Sequence, residues 1–503
     1  MTVPNLPLSR RRFLGATAAT AAVSMVPHPL LGAATPVPSS RRIHVGYVGC
    51  GSQGLRQLMP ALQRPELQII AVCDPNRRSD DYPEWGPGEL NGKVRQFLED
   101  PSWGPEARGG LCGREVALEL VNRYYGKHRP SGTARGCRAY RDFREMLARE
   151  ADLDAVYIMT PDHSHATIAL RAMRQGKHVI THKPLANVLR EARLTRDTAQ
   201  QTGVATHMFC AAAQPTTPQI EEWLAAGAIG PVREVHNWSS RPFWPQGMTA
   251  LPSDTPPVPE GFDWDLWLGP VPPRPYHPAY THAAFRGWYD FGTGALGDMG
   301  HYSFYQIFRM LKLGAPISVE ASRSQFWAIE NFQWRRQANQ VCYPRASIIH
   351  WEFPARGDRP PVRLHWYDGG LRPATPSELV ADGADLDAEG LLLVGDRGKI
   401  LAGFSGQSPR LIPAVRMREF EPPPQSLSRP APELDQWIRA CQGGPPSDAS
   451  FENIYPLAES ILLGTIALRV PQRLRWDSAS MTFADQPEAN ALLTRSYREG
   501  WEL

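Results

Sequence analysis

The chain has 503 residues, more than one ordinary hydrophobic core accommodates, so two domains are expected. Its 21% charged and 42% apolar residues are typical of a soluble globular protein. Formal charge is +3, but without Arg10, Arg11 and Arg12 the basic residues fall from 54 to 51 and equal the 51 acidic ones, which argues against a nucleic-acid or anionic-membrane partner.

Residues 1–33 read as a targeting segment. Ser9-Arg10-Arg11-Arg12-Phe13-Leu14 matches the twin-arginine export pattern, an alanine-rich stretch follows, and Leu31-Gly32-Ala33 resembles a cleavage site. Gly15 to Val26 is too short to span a bilayer, so no membrane span is expected. The mature protein is therefore expected in the periplasm, or otherwise exported already folded. Pro36 to Ser40 reads as a linker.

A strand from Arg42 to Val48 runs directly into Gly49-Cys50-Gly51-Ser52-Gln53-Gly54, and a helix opens near Leu55. The next strand, Leu67 to Cys73, ends in Asp74, twenty residues beyond Gly54. Glycines in this spacing between strand and helix, with an acid at that distance, mark a dinucleotide-binding unit. Gly49 permits the tight turn, Gly51 lets backbone approach a pyrophosphate, Gly54 admits close helix packing, and Ser52 and Gln53 sit at the helix start. Asp74 would accept hydrogen bonds from the adenosine ribose and repel a 2′-phosphate, which favours NAD. Arg77 and Arg78 close by leave NADP open.

Residues 76–136 are dense in proline and glycine and read as an insertion, a loop with one helix from Arg114 to Tyr125. Alternation resumes with a helix at Asp142 to Arg149, then strand Ala155 to Met159, helix Ser164 to Gln175, and strand His178 to Thr181 leading to His182-Lys183-Pro184. Thr160 and Pro161 at the first strand's end are placed to meet the nicotinamide half of the cofactor. A lysine at the second strand's end is a surface charge or a catalytic group. Only six lysines occur against 48 arginines, which gives Lys183 added weight. His163 and His165 lack a third ligand at metal-site spacing, so they read as cofactor-side hydrogen-bonding groups and no metal is expected.

A helix from Ala186 to Gln200, a strand from Val204 to Phe209 and a helix from Pro218 to Ala226 follow. Past Gly230 the alternating run Val232 to Ser239 and the later strands Ile317–Ser322, Ala346–Phe353, Val362–Tyr367, Leu391–Val394 and Lys399–Ala402 indicate an antiparallel sheet, with a late helix from Phe451 to Leu468. The fold class is thus α/β: a Rossmann domain over 41–183 and an α+β domain with a large, mostly antiparallel open sheet over 184–503. Several open strands favour a homo-oligomer. Seven scattered cysteines form no Cys-x-x-Cys pair, and Cys112 and Cys137, flanking the insertion, are candidates for a bridge. Trp238, Trp244, Trp264, Trp267, Trp288 and Tyr289 are candidates for sugar-stacking walls, several of them necessarily core, and Arg286 for positioning a substrate group.

Several motifs in fixed order carry a resemblance. They are the early glycine turn, Thr160-Pro161-Asp162-His163-Ser164-His165, His182-Lys183-Pro184, Phe262 to Pro270 (FDWDLWLGP), Gly294 to His301 (GALGDMGH) and Glu459 to Gly464 (ESILLG). Together they resemble the Gfo/Idh/MocA oxidoreductase family, named for glucose–fructose oxidoreductase, inositol dehydrogenase and a rhizopine catabolism protein. The resemblance implies a nicotinamide-dependent oxidoreductase acting on sugars, polyols or their derivatives. Lys183 matches the lysine of the family's Glu-Lys-Pro, with His182 in place of the glutamate. The family's Asp-x-Gly-x-His is matched by Asp298 and Gly300, but Tyr302 occupies the histidine position and His301 comes one residue early. One residue on a helix is a rotation of about 100°. An unperturbed imidazole titrates near neutral pH, which favours His301 over Tyr302 as the acid/base.

The expected reaction moves a hydride between a sugar carbon and a bound NAD(P), with Lys183 stabilising the alkoxide and His301 or Tyr302, steadied by Asp298, taking the proton. Export into a compartment without a recycling NAD pool implies a tightly held cofactor. Two rival readings remain: an NAD-dependent glycosidase or lyase working through transient oxidation, and a non-catalytic sugar-binding relative.

Overall fold

The computed structural model describes residues 42–104, 107–129, 136–209 and 216–503. The expected leader and linker, and Cys210, lie outside the described residues. The first sheet is six-stranded and parallel, built from β1 (Ile43–Val48), β2 (Leu67–Cys73), β5 (Arg138–Tyr140), β6 (Ala155–Ile158), β7 (His178–His182) and β8 (Thr206–Phe209). Its order is β5-β2-β1-β6-β7-β8. β2 is buried at every position, as a strand covered on both faces must be. The chain winds outward in opposite directions from β1, so a crevice opens between the carboxyl ends of β1 and β6, where ligands bind in such sheets. The sheet continues to Phe209, past the boundary expected at 183, because β8 is one more parallel crossover of the same kind.

The insertion is more than a loop. Strands β3 (Ser79–Tyr82) and β4 (Gly110–Cys112) pair antiparallel, and helices run over Glu89–Leu98 and Arg114–His128. Leu90, Val94 and Leu98, four residues apart, lie on one buried face of the first helix. With Leu111, Val116 and Leu120 they join the core around β1 and β2. The flanking prolines and glycines hid this helix from a reading of composition. Cys112 and Cys137 are free thiols, not a bridge.

The second sheet has nine strands: β9 (Val232–Trp238), β10 (Ser318–Arg323), β13 (Ser347–Phe353), β14 (Val362–Tyr367), β15 (Gly390–Gly395), β16 (Gly398–Ala402), β17 (Arg410–Ile412), β18 (Leu474–Asp477) and β19 (Thr482–Phe483). Their order is β17-β16-β15-β9-β14-β13-β10-β18-β19, and only β9 and β14 run parallel. Alternate residues Ile349, Trp351, Leu364 and Trp366 face the helices Gly294–Leu311 and Phe451–Ala467. Trp351 donates from its indole to the Ser460 carbonyl at 2.8 Å, and Phe304 meets Trp351 and Trp366 edge-on. This packing fixes the Gly294–Leu311 helix, whose first turns reach the crevice. A separate hairpin of β11 (Phe326–Glu330) and β12 (Gln333–Gln337) leaves Trp327, Ile329 and Trp334 exposed. Among the described residues no helix is long and apolar enough to cross a membrane.

Candidate active-site cleft

At the carboxyl ends of β1, β2, β6 and β7 lies an open cleft of about 1110 Å³. Gly49, Gly51, Ser52, Gln53 and Gly54 form one wall, with Asp74 at one end and Thr160, Pro161 and Lys183 at the other. Gly49 has φ +99°, and a Cβ there would stand 2.4 Å from the Met159 carbonyl carbon. A Cβ on Gly54 would stand 2.2 Å from the Gly49 carbonyl oxygen. Side chains are thus excluded where the turn folds back on its own helix. The Ser52–Leu62 helix begins in this turn with no acidic residue in its first turn, leaving its amide end open to an anion. The cradle fits a dinucleotide's pyrophosphate.

Asp74 is 7% exposed and accepts from the Cys50 amide at 2.6 Å and the Asn76 amide at 2.8 Å. Burial raises its pKa, and these two amides oppose the rise. A carboxylate offers about four lone-pair sites, so two remain for ribose hydroxyls. Arg77 lies near Glu115 and Glu260, each at 3.8 Å, and Arg78 lies 3.5 Å from Glu119. Neither arginine lines the cleft.

At the other end, Lys183 is buried and donates to Asp298, which also accepts from the Arg286 Nε at 2.7 Å. Burial lowers the Lys183 pKa, and the Asp298 charge resists that fall. Burial disfavours the ionised Asp298, but Lys183 and Arg286 overcome it and hold the carboxyl well below the usual range. The group that opposes loss of the lysine's charge is therefore a partner on a helix of the second sheet. His182 lines the cleft beside it as a neutral ring, its pKa pushed far down by burial and then by Lys183.

His301 does not stand where an acid/base is needed. It is fully buried, its Nδ1 lies 2.7 Å from the Gly297 carbonyl one turn back, and burial drives its pKa to about 3. The preference for His301 rested on an unperturbed imidazole, and burial removes that premise. Tyr302 instead turns its ring toward the lysine, 5.0 Å from Nζ. Asp298 pairs with Lys183 and Arg286, so it steadies the lysine rather than a histidine. His163 and His165 leave the cofactor-side role too. His163 Nε2 lies 2.9 Å from the Trp267 carbonyl, and burial lowers its pKa to about 3. His165 spans the Pro184 and Thr160 carbonyls at 2.6 and 2.8 Å, bracing the two strand ends to each other. Neither ring lines the cleft.

Of the aromatic candidates, Trp238 and Trp288 are core, and Trp264 stacks on Trp267 within a buried cluster. Trp267 alone reaches the cleft wall, Tyr289 lines a different hollow, and Trp244 lies 5.6 Å from the Arg286 guanidinium. Several cleft residues went unmarked in the sequence. Asp162, inside the Thr-Pro-Asp-His motif, is buried, accepts from Thr293 Oγ1 at 2.7 Å and has its pKa raised by burial. Tyr82, from the insertion, presses on the glycine turn, where a Cβ on Gly51 would stand 3.0 Å from its ring, and meets the His282 ring at a tilt of 36° with centroids 3.7 Å apart. His282 Nε2 in turn lies 3.1 Å from Asp81. The insertion thus forms a cleft wall, a role no local motif signals.

Comparison with known proteins agrees with this architecture. The family model described as "Oxidoreductase family, C-terminal alpha/beta domain" matches residues 231–343 and 364–503. That described as "Oxidoreductase family, NAD-binding Rossmann fold" matches 116–209, so the glycine turn lies outside the matched residues. A levoglucosan dehydrogenase of Pseudarthrobacter phenanthrenivorans is 32% identical over 26% of this chain and 32% of its own length. A dTDP-3,4-didehydro-2,6-dideoxy-alpha-D-glucose 3-reductase of Actinomadura kijaniata is 33% identical over 41% of this chain and 48% of its own. The chain spans less than half the length of these curated relatives. The WlbA dehydrogenase from Bordetella pertussis, solved with NADH and UDP-GlcNAcA, superposes with a TM-score of 0.52 at 15% identity, covering 87% of this chain and 99% of that one, a likeness of fold.

Proposed function

This chain belongs to the Gfo/Idh/MocA oxidoreductase family, and we propose that it moves a hydride between a carbohydrate secondary alcohol and NAD. The observation that carries this reading is the Lys183–Asp298–Arg286 cluster at one end of a cleft whose other end is a glycine cradle and Asp74. Gly49 to Gly54 would hold the pyrophosphate and Asp74 the adenosine ribose, and Thr160 and Pro161 would border the nicotinamide. Bound NAD supplies the hydride acceptor. Lys183, kept cationic by Asp298, donates to the reacting hydroxyl oxygen and stabilises the alkoxide as charge develops there. Tyr302, beside the lysine, relays the hydroxyl proton, accepting it as its own phenolic proton passes to solvent. Arg286 and Trp267 border the space left for the sugar. Asp74, with Arg77 and Arg78 turned to carboxylates, favours NAD over NADP.

We further propose that Ser9 to Ala33 directs export through the twin-arginine route and that the cofactor stays bound through the catalytic cycle. The supporting feature is Arg10-Arg11-Arg12 before an alanine-rich stretch. The test is to purify the protein from the periplasm, identify what co-purifies by mass, and follow its reduced-nicotinamide absorbance as sugars are added in turn. A bound nicotinamide that is reduced by one sugar and reoxidised by another supports the reading. Release of an aglycone with no lasting redox change would replace it with the glycosidase reading.

A further inference from the structure

On the face of the second sheet opposite the Gly294–Leu311 helix, histidines line up across neighbouring strands. Glu234 and His236 are two apart on β9 and so share a face. His365 on β14 is directly opposite His236, and His350 on β13 is opposite His365. The His236 and His365 rings stack with centroids 4.7 Å apart at 17°. One ligand atom from each of Glu234, His236 and His365 lies within 4.8 Å of the others. None of the three lines the cleft.

The remaining ring nitrogens are already held. His236 Nδ1 lies 3.0 Å from the Tyr367 hydroxyl, and its Nε2 faces Glu234 Oε2 at 3.5 Å. His365 Nδ1 lies 2.5 Å from His350 Nδ1, and its Nε2 is buried without a hydrogen bond. Arg363 donates to Glu234 Oε1, and Oε2 is the oxygen that faces the His236 ring. Each imidazole thus has its Nδ1 held by a neighbour, while the His365 Nε2 is left without a hydrogen bond and the His236 Nε2 is turned to a carboxylate, the kind of support that orients metal-binding histidines.

We propose that Glu234, His236 and His365 bind one divalent cation of the zinc type, with His350 as a positioning residue behind His365. Two imidazoles and a carboxylate suit zinc and its transition-metal neighbours better than magnesium, which prefers an all-oxygen octahedron. Three protein ligands leave a coordination position for water. The ligands come from strands 129 residues apart along the chain, counted from His236 to His365, so no local spacing announces them.

The test uses the full chain, stripped with a chelator and titrated with Zn²⁺ or Mg²⁺ against a competing metal indicator. Unaltered protein should take up one Zn²⁺ above background and no Mg²⁺. The His236→Asn/His365→Asn double variant should lose that site, and His350→Phe should weaken it by about 10- to 100-fold. Equal Zn²⁺ uptake by the unaltered protein and the folded double variant overturns the proposal. Should the double variant fail to fold, the Co²⁺ spectrum of the unaltered protein decides: intense d–d bands of a low-coordinate nitrogen site support it, and the spectrum of hydrated Co²⁺ overturns it.

Discussion

Lys183 and Asp298 stand 115 residues apart and come from different sheets' elements, yet meet as a largely buried ion pair where Lys183 lines the cleft. The lysine directly follows β7 of the parallel sheet, and the aspartate sits in the helix packed on the antiparallel one. Charge control at the reacting oxygen therefore depends on the two halves being docked. Removing Asp298 leaves a buried cation without its main partner. Asp298→Asn should lower kcat by about 10²-fold or more, and steady-state kinetics across pH should show the remaining activity shifted to lower pH, where Lys183 is still protonated.

The proton acceptor separates two neighbouring residues. Tyr302→Phe keeps the ring beside Lys183 but removes the hydroxyl, and should reduce kcat by about 10²- to 10⁴-fold. His301→Gln should leave kcat within a few-fold, since that ring is bonded to Gly297 and fully buried. The reverse ranking would restore the histidine to the role its sequence position suggested.

The glycine cradle is sterically closed at Gly54. Gly54→Ala places a methyl 2.2 Å from the Gly49 carbonyl oxygen, so the turn must move. A destabilisation of about 1–3 kcal/mol and loss of NAD binding are expected, read by denaturant unfolding and by calorimetry. Asp74→Ser should weaken NAD by about 10- to 100-fold, the worth of hydrogen bonds to a charged group, and weaken NADP far less.

Acid should act through the buried histidines. His163 and His301 have folded pKa values of about 3, below the unfolded value near 6.5. The unfolded chain then binds more protons between those values, so stability falls as pH drops from about 6.5 toward about 3, by about 1.4 kcal/mol per pH unit for each ring. His301→Gln should flatten the pH dependence of unfolding free energy in that window. An unchanged slope would mean the ring is accessible to protons in the folded state.

Much of this architecture is legible along the chain because its signals are local. The glycine turn, Asp74, and the strands around Thr160 and Lys183 are set by periodicities and spacings within a few tens of residues. Strands such as Val362–Tyr367 appear with the bounds their alternation predicts. What the chain hides is what tertiary contact decides. Burial turns His301 and His163 from ordinary imidazoles into neutral structural rings. The helix at Glu89–Leu98 disappears among prolines and glycines, although its buried stripe is regular. The domain limit at 183 misses β8 because the crossover to Thr206–Phe209 repeats the same βαβ pattern on either side of Lys183. The Lys183–Asp298–Arg286 grouping could be guessed only through the family resemblance, since no local spacing joins them.

The most direct test of the account is Lys183→Ala in protein that retains its dinucleotide. Cofactor binding should stay within a few-fold of the unaltered protein, because Gly49 to Gly54 and Asp74 are untouched. Single-turnover reduction of bound nicotinamide by a sugar should slow by about 10²- to 10³-fold. Hydride transfer at the original rate in that variant would contradict the assignment of Lys183, and with it the reaction proposed for this cleft.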